Sequence, residues 1–466
     1  MDQTIIIAGA FGAVAGLVWL LAMSTNPRAG LIAIALMVFL ASIGVALNWR
    51  GNIYGSWLLP VQMQRSMIFL LVGVVLAIGM AAHLPRVQFG KLSAGAVLLV
   101  IIGCYIGLAR TIHEGPIDGL QTIALALIVL TALVITVAHA VETGEDLYPP
   151  IRMIAVGLGM FLFCVAMQVA RDRSRIMNDS DRFIGVGSNP QIVATFLALS
   201  LVPVAWLLMY DRANRYRPLW WGIAAFGSLA LLATGSRTGL AMTMLGLGTI
   251  FVRRFGRAIL AVPIGAFAVY VGLNTASAIG LELPLSRLTS TENTRSQAWA
   301  FLLEQFRANP LIGTGREGAE VSENSYLYGA AAYGIGMLAL LLTFTAYSVW
   351  NMMRLFWRTR SYPQLHSVVD LIIAIHVMYF AGAVFEGYMI SRVSAPLPII
   401  LVAISMGGAI MFQLDQQDAG VLHFVDEDDD DGEDVDEAWY DDDDPDGMVV
   451  WDDDVHDEEY ADAYQS

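Results

Sequence analysis

The chain has 466 residues, 56% of them hydrophobic, and a mean hydropathy of +0.60, which excludes an ordinary soluble domain. Its two cysteines, Cys104 and Cys164, both fall inside apolar runs, so a disulfide framework is excluded and both read as small buried hydrophobes. The formal net charge of −16 belongs to one end: residues 426–466 hold 22 Asp or Glu and no Lys or Arg, leaving 20 acids against 26 bases elsewhere.

Apolar runs of about 18 to 25 residues are long enough to cross a bilayer. In chain order they predict spans near 4–23, 30–47, 66–83, 92–109, 119–141, 151–170, 190–210, 217–233, 239–252, 258–275, 325–349, 367–390 and 395–413. The first lacks a basic flank and a cleavage site and reads as an anchor. Two spans, 217–233 and 239–252, are short, and one early segment could be re-entrant. The count is therefore about 12 or 13. The expected fold is all-α, a polytopic membrane helix bundle over 1–413 with one large loop at 276–324. From 414 to 466 the chain is low-complexity acid with scattered aromatics, unable to bury a core, and is expected to be a disordered tail.

Charge then orients the spans. Arg253, Arg254 and Arg257 form one short basic loop, and Arg354, Arg358 and Arg360 another; both fit the cytoplasm. Parity then puts 276–324 outside, together with 171–189, Gly235–Arg237 and Arg392, while 212–217 and the tail are cytoplasmic. Arginines gather on the face where this rule predicts few: Arg171, Arg173, Arg175, Arg182, Arg237, Arg287, Arg295, Arg307, Arg316 and Arg392. Arginine against a bilayer is costly and usually has an anionic partner. Any one of them could simply snorkel, but the set points to an anionic ligand.

In the large loop, Thr294 and Gln297 have capping-box spacing, which predicts a helix over 295–308. Trp299, Leu302, Leu303 and Phe306 form one apolar stripe along it, and Asn309-Pro310 ends it. Arg295 in the first turn opposes the helix dipole, and guanidinium and backbone N–H groups together would attract a diphosphate. The plainer alternative is a surface helix with a solvated arginine. Glu323 and Asn324 stand at the mouth of the next span, either as a general base and its neighbour or as ordinary helix-start capping.

Five motifs stand in order: Arg182-Phe-Ile-Gly-Val-Gly-Ser-Asn-Pro190, Ala233-Thr-Gly-Ser-Arg-Thr-Gly239, Arg295 with Trp299, Asn309-Pro-Leu-Ile-Gly-Thr-Gly315, and Glu323-Asn-Ser-Tyr-Leu327 closing on Tyr333-Gly-Ile-Gly336. Together they resemble the O-antigen ligase/polymerase family. The matching stretch covers about 180–340; the rest is similar only as generic apolar spans. The resemblance implies a glycosyltransferase of the bacterial inner membrane, with its site on the periplasmic face and its tail in the cytoplasm. It would take a glycan from an undecaprenyl-diphosphate carrier and pass it to an acceptor glycan or lipid. It implies inversion with no cofactor and no metal, Arg237 and Arg295 at the diphosphate, and Arg182, Asn324 and Trp299 nearby. Arginines in place of a cation suit a leaving diphosphate.

Where the family has a His-Asn pair this chain has Glu323-Asn324, so the base is Glu323 or one of two rivals, His113 and Glu386. A loop histidine is more often only solvated, and Glu386 could simply pair with an arginine. Asp179-Ser-Asp181 has metal-bridging spacing but reads better as surface polarity, and His376 as a packed mid-span residue. No nucleic-acid partner is expected, and no nucleotide, zinc or dinucleotide motif is present. The acidic tail either keeps clear of lipid headgroups or recruits a basic partner of a polysaccharide assembly complex. Two other functional classes stand beside the enzyme: a transporter of an anionic solute and a non-catalytic assembly scaffold.

Overall fold

The computed structural model describes residues 3–46, 53, 56–81, 83, 89–141, 147–212, 214–255, 295–321, 323–390 and 394–419. It is 84% helical and has no strand among these residues, an all-α bundle as the apolar periodicity demands. The helices are α1 (Gln3–Thr25), α2 (Ile32–Ser42), α3 (Leu59–Ala81), α4 (Ala94–His113), α5 (Pro116–Ala124) and α6 (Thr131–Ala140). They continue with α7 (Tyr148–Arg171), α8 (Pro190–Tyr210), α9 (Arg217–Ala233) and α10 (Arg237–Phe255). After the gap come α11 (Arg295–Ala308), α12 (Gly315–Ala319), α13 (Ser325–Arg358), α14 (His366–Ala383) and α15 (Pro396–Asp418).

Eight of the described helices are long and apolar enough to cross a membrane, counting α5 and α6 as one rod, Pro116–Ala140, joined by a π-helical turn at Leu125–Leu130. Shorter apolar helices cover Val14–Thr25, Pro27–Ser42 and Arg237–Val252. The span predicted at 258–275 and the loop residues 276–294 lie outside the described residues, as do Arg287 and Arg392. So does the chain from 420 onward. The boundary expected at 413/414 falls inside α15, which runs on to Asp418 because Arg358 pairs there with Asp415 and Asp418.

Starts and stops follow local chemistry. Proline in the first turn, where no N–H is needed, opens α5, α7, α8, α9 and α15. Asn189 caps α8 by accepting from Gln191 N at 2.8 Å. The apolar side chains divide by burial. Trp206, Phe161, Phe196 and Phe344 are inside, while α9 turns Leu219, Trp221, Phe226 and Leu229 outward, as a lipid-facing helix would.

Contacts sort the helix ends into two groups. At one end His83 meets Met23 O at 2.8 Å, Arg152 forms a two-bond pair with Asp211, and Trp206 Nε1 donates to Ser367 O at 2.7 Å. At the other, loops 177–189, 234–238 and 323–325, the start of α11 and residues 385–390 all meet. Among the described residues, direct contacts there join Arg182 to Thr234, and Arg295 to Thr238, Glu323 and Glu386.

One device shapes that end. α13 is kinked at Gly334 (φ 79°), which frees backbone groups in its first turns. The 309–315 loop docks into the kink: Ile335 N donates to Pro310 O at 2.7 Å and Thr314 N to Ala331 O at 2.9 Å. The approach leaves no room for a Cβ, which at Gly334 would meet Leu311 O at 2.1 Å and at Gly313 the Ala332 carbonyl carbon at 2.3 Å.

Candidate functional site

The loop before α8 is organised by Asn178, whose Oδ1 accepts from Ser180 N at 3.1 Å and Arg182 N at 2.9 Å. Asp179 and Asp181 sit on this turn, Asp181 in the left-handed region (φ 53°), so the pair serves turn geometry. Arg182 is buried and its Nε donates to Thr234 O at 2.7 Å, tying the loop to the end of α9. Gly235 (φ 60°) then reverses the chain, and Ser236 Oγ accepts from Gly239 N at 3.2 Å to start α10. Arg237 is the first residue of α10 and is exposed; Thr238 beside it is buried.

Arg295 opens α11 and joins the distant segments. Its Nη2 donates to Thr238 Oγ1 at 2.9 Å and to Glu386 Oε1 at 3.1 Å, and its Nε lies 4.0 Å from Glu323 Oε2. The face of the guanidinium rests 5.0 Å from the Phe385 ring centroid, a cation–π contact. Trp299 stacks on the same Phe385 at 6.5 Å and donates from Nε1 to Glu323 O at 3.2 Å. The packed face of α11 differs from the expected stripe. Phe301 takes a partly buried place and Leu303 is exposed, because the helix leans on α13 and Phe385.

Glu386 follows α14 and is almost wholly buried. Ser325 Oγ donates to its carbonyl at 2.6 Å and accepts from Met389 N at 3.3 Å, fixing the segment to the start of α13. Burial pushes the Glu386 carboxyl up to about 7; Arg295 pulls against that rise, Glu323 adds to it, and Arg182 opposes it. A carboxyl poised there can exchange protons near neutral pH. Glu386 also lines a cavity of about 280 Å³ with a mixed polar and apolar wall.

The expected site residues thus divide. Arg182, Arg295, Trp299, Glu323 and Glu386 cluster, with Arg237 next to the Thr238 that Arg295 holds. Asn324 is at hand, but its side-chain oxygen is committed to capping α13, accepting from Tyr326 N at 2.9 Å and Leu327 N at 3.0 Å. His113 is not among these contacts; its Nε2 meets Ile312 O at 3.1 Å, at the loop that fills the Gly334 kink. Thr238, Phe385 and Arg65 were not singled out from sequence, and Arg316 entered only as one of the arginines gathered on that face. For Arg65 a signal existed, a lone charge within the apolar helix α3.

No family model matches the chain, and no curated protein matches it.

Proposed function

We propose that the protein is a membrane glycosyltransferase of the polymerase or ligase type, passing a glycan from a polyprenyl-diphosphate carrier to an acceptor hydroxyl. The observation that carries the reading is Arg295, which links the turn holding Arg237 to two carboxylates, at one end of an apolar helix bundle. Two guanidiniums suit a diphosphate, and a nearby carboxyl of near-neutral pKa suits a hydroxyl. The same features require a bilayer on the flanks for the carrier's tail. The reading puts the site on the outer face of a bacterial inner membrane and the acidic tail in the cytoplasm.

In this mechanism Arg237 and Arg295 hold the donor diphosphate. The acceptor oxygen attacks the anomeric carbon from the face opposite the leaving group. A new C–O bond forms, the bond from the anomeric carbon to the phosphate oxygen breaks, and the configuration inverts. Glu386 takes the hydroxyl proton, and the departing diphosphate keeps the electron pair against the two arginines. Of the three candidate bases, Glu386 combines burial, a raised pKa and a cavity wall. Glu323 becomes the second carboxylate that steadies Arg295. Donor binding draws Arg295 toward phosphate, which weakens its hold on Glu386 and couples the two sites.

The test is purified protein in nanodiscs given lipid-linked oligosaccharide, with chain length followed over time. Longer lipid-linked chains identify a polymerase, and glycan on a second molecule identifies a ligase. No conversion of any lipid-linked donor overturns the enzyme and turns attention to transport of an anionic solute, read by uptake into proteoliposomes.

A further inference from the structure

Glu386, but not Arg295, lines the 280 Å³ cavity, whose wall carries polar and charged side chains unlike the apolar bundle around it. Arg65, Arg316, Asn189, Gln191 and Tyr328 line it together with Glu386. Arg65 reaches it from α3, where its Nη1 donates to Ile43 O. The chain passes this point at Gly44, where a Cβ would lie 2.9 Å from Arg65 Nη1 and 2.9 Å from Ser188 Cβ, so the glycine makes room for the guanidinium. Arg316 comes from α12 and lines the cavity together with Tyr328. Glu386 is the single acid among the described residues lining the cavity, and it is also held by Arg295.

A polar, cationic chamber sharing one carboxylate with the diphosphate cluster has a specific use in the reaction proposed above. We infer that this cavity is the acceptor subsite, and that it takes a terminal sugar carrying an anionic substituent, read by Arg65 and Arg316 while its hydroxyl faces Glu386. This rests on the donor reading for its meaning but not for its measurement. The volume has room for about one sugar unit, at the small end of ligand pockets. The anion must therefore belong to the reacting sugar or its immediate neighbour. A phosphate on the acceptor's own lipid carrier would lie a whole oligosaccharide away and could not sit here. Bidentate arginine contacts suit either a sugar carboxylate or a sugar phosphate.

The experiment is ligand-observed saturation-transfer NMR on the detergent-purified full chain, with methyl β-D-glucuronide, glucose 6-phosphate and neutral methyl β-D-glucoside as probes. At least one anionic probe should bind about tenfold or more tightly than the neutral one, and which one identifies the substituent. Arg65→Gln with Arg316→Gln should abolish that preference. Arg65→Lys with Arg316→Lys should keep part of it, which separates charge recognition from a folding defect. Arg237→Ala should leave it unchanged. Equal binding or no binding of the three probes to wild type overturns the inference, as does an unchanged preference in the monodisperse double glutamine variant. If an anionic probe binds as expected while no lipid-linked donor is ever consumed, the donor reading fails and the anion site stands.

Discussion

Arg295 donates to Glu386 across 3.1 Å, so the group assigned to the leaving diphosphate and the group assigned to the acceptor proton are in direct contact. The contact brings together residues 91 positions apart in the chain. It also makes the protonation of Glu386 depend on what Arg295 is doing.

The pH profile should report this carboxyl. With the Glu386 pKa at about 7, turnover should rise as pH increases through 7 and level off above it, since the ionised form is the base. The contribution to stability has the opposite sign. The folded pKa is raised above the unfolded value of about 4.3, so the folded state binds the extra proton in between. That contribution is full below the unfolded pKa and is lost as pH rises from there through 7. Initial rates and melting midpoints across a pH series check both arms; a flat rate profile between pH 6 and 8 removes Glu386 as base.

Arg295→Ala should lower turnover by about 10²-fold or more, as loss of a donor at developing negative charge does. Because Arg295 holds the Glu386 pKa down, residual activity should show its acid limb displaced to higher pH. Arg295→Lys should keep part of the limb position but little of the rate, since an ammonium lacks the planar face that rests on Phe385 and the second nitrogen that lies near Glu323. Rates against pH for the three proteins decide it.

Glu386→Gln keeps shape and removes the base, and should cost about 10²- to 10⁴-fold in turnover. Glu323→Gln should cost less than about 10-fold, since its side chain lies 4.0 Å from Arg295 and its backbone carbonyl, which takes the Trp299 bond, survives the change. The reverse order in a side-by-side assay would restore Glu323 as the base.

Gly334→Ala should destabilise the protein by about 3 kcal/mol or more, through a strained positive φ and a Cβ 2.1 Å from Leu311 O. The damage should spread to activity, since the displaced 309–315 loop leaves the end of α11 and docks on α13. A melting midpoint in detergent equal to wild type would contradict the docking of that loop.

The helix bundle was legible in the chain because a bilayer accepts few solutions. A long apolar run must satisfy its own backbone, so length and hydropathy suffice to find α3, α4, α7, α8 and α15. Charge in the short loops grouped 171–189, Gly235–Arg237, 276–324 and Arg392 on one side, because alternation of spans is a topological rule. Motif order brought Arg237 and Arg295 under suspicion together, though 57 residues separate Arg295 from its Thr238 contact.

What sequence could not order was the choice among carboxylates. Glu323 and Glu386 are alike as residues, and only packing buries Glu386 beside Arg295. Desolvation is a property of neighbours, which come from α3, α8, α10, α11 and α13 at once. Nothing in the chain places His113 against Ile312 O, where the fold puts it. Arg65 and Arg316 lie about 250 positions apart and share a cavity only because α3 and α12 close on it. Local sequence decides which segments enter the membrane, since that depends on each segment's own transfer energy. Tertiary structure alone decides which charges face one another, since that depends on distances the chain does not carry until it folds.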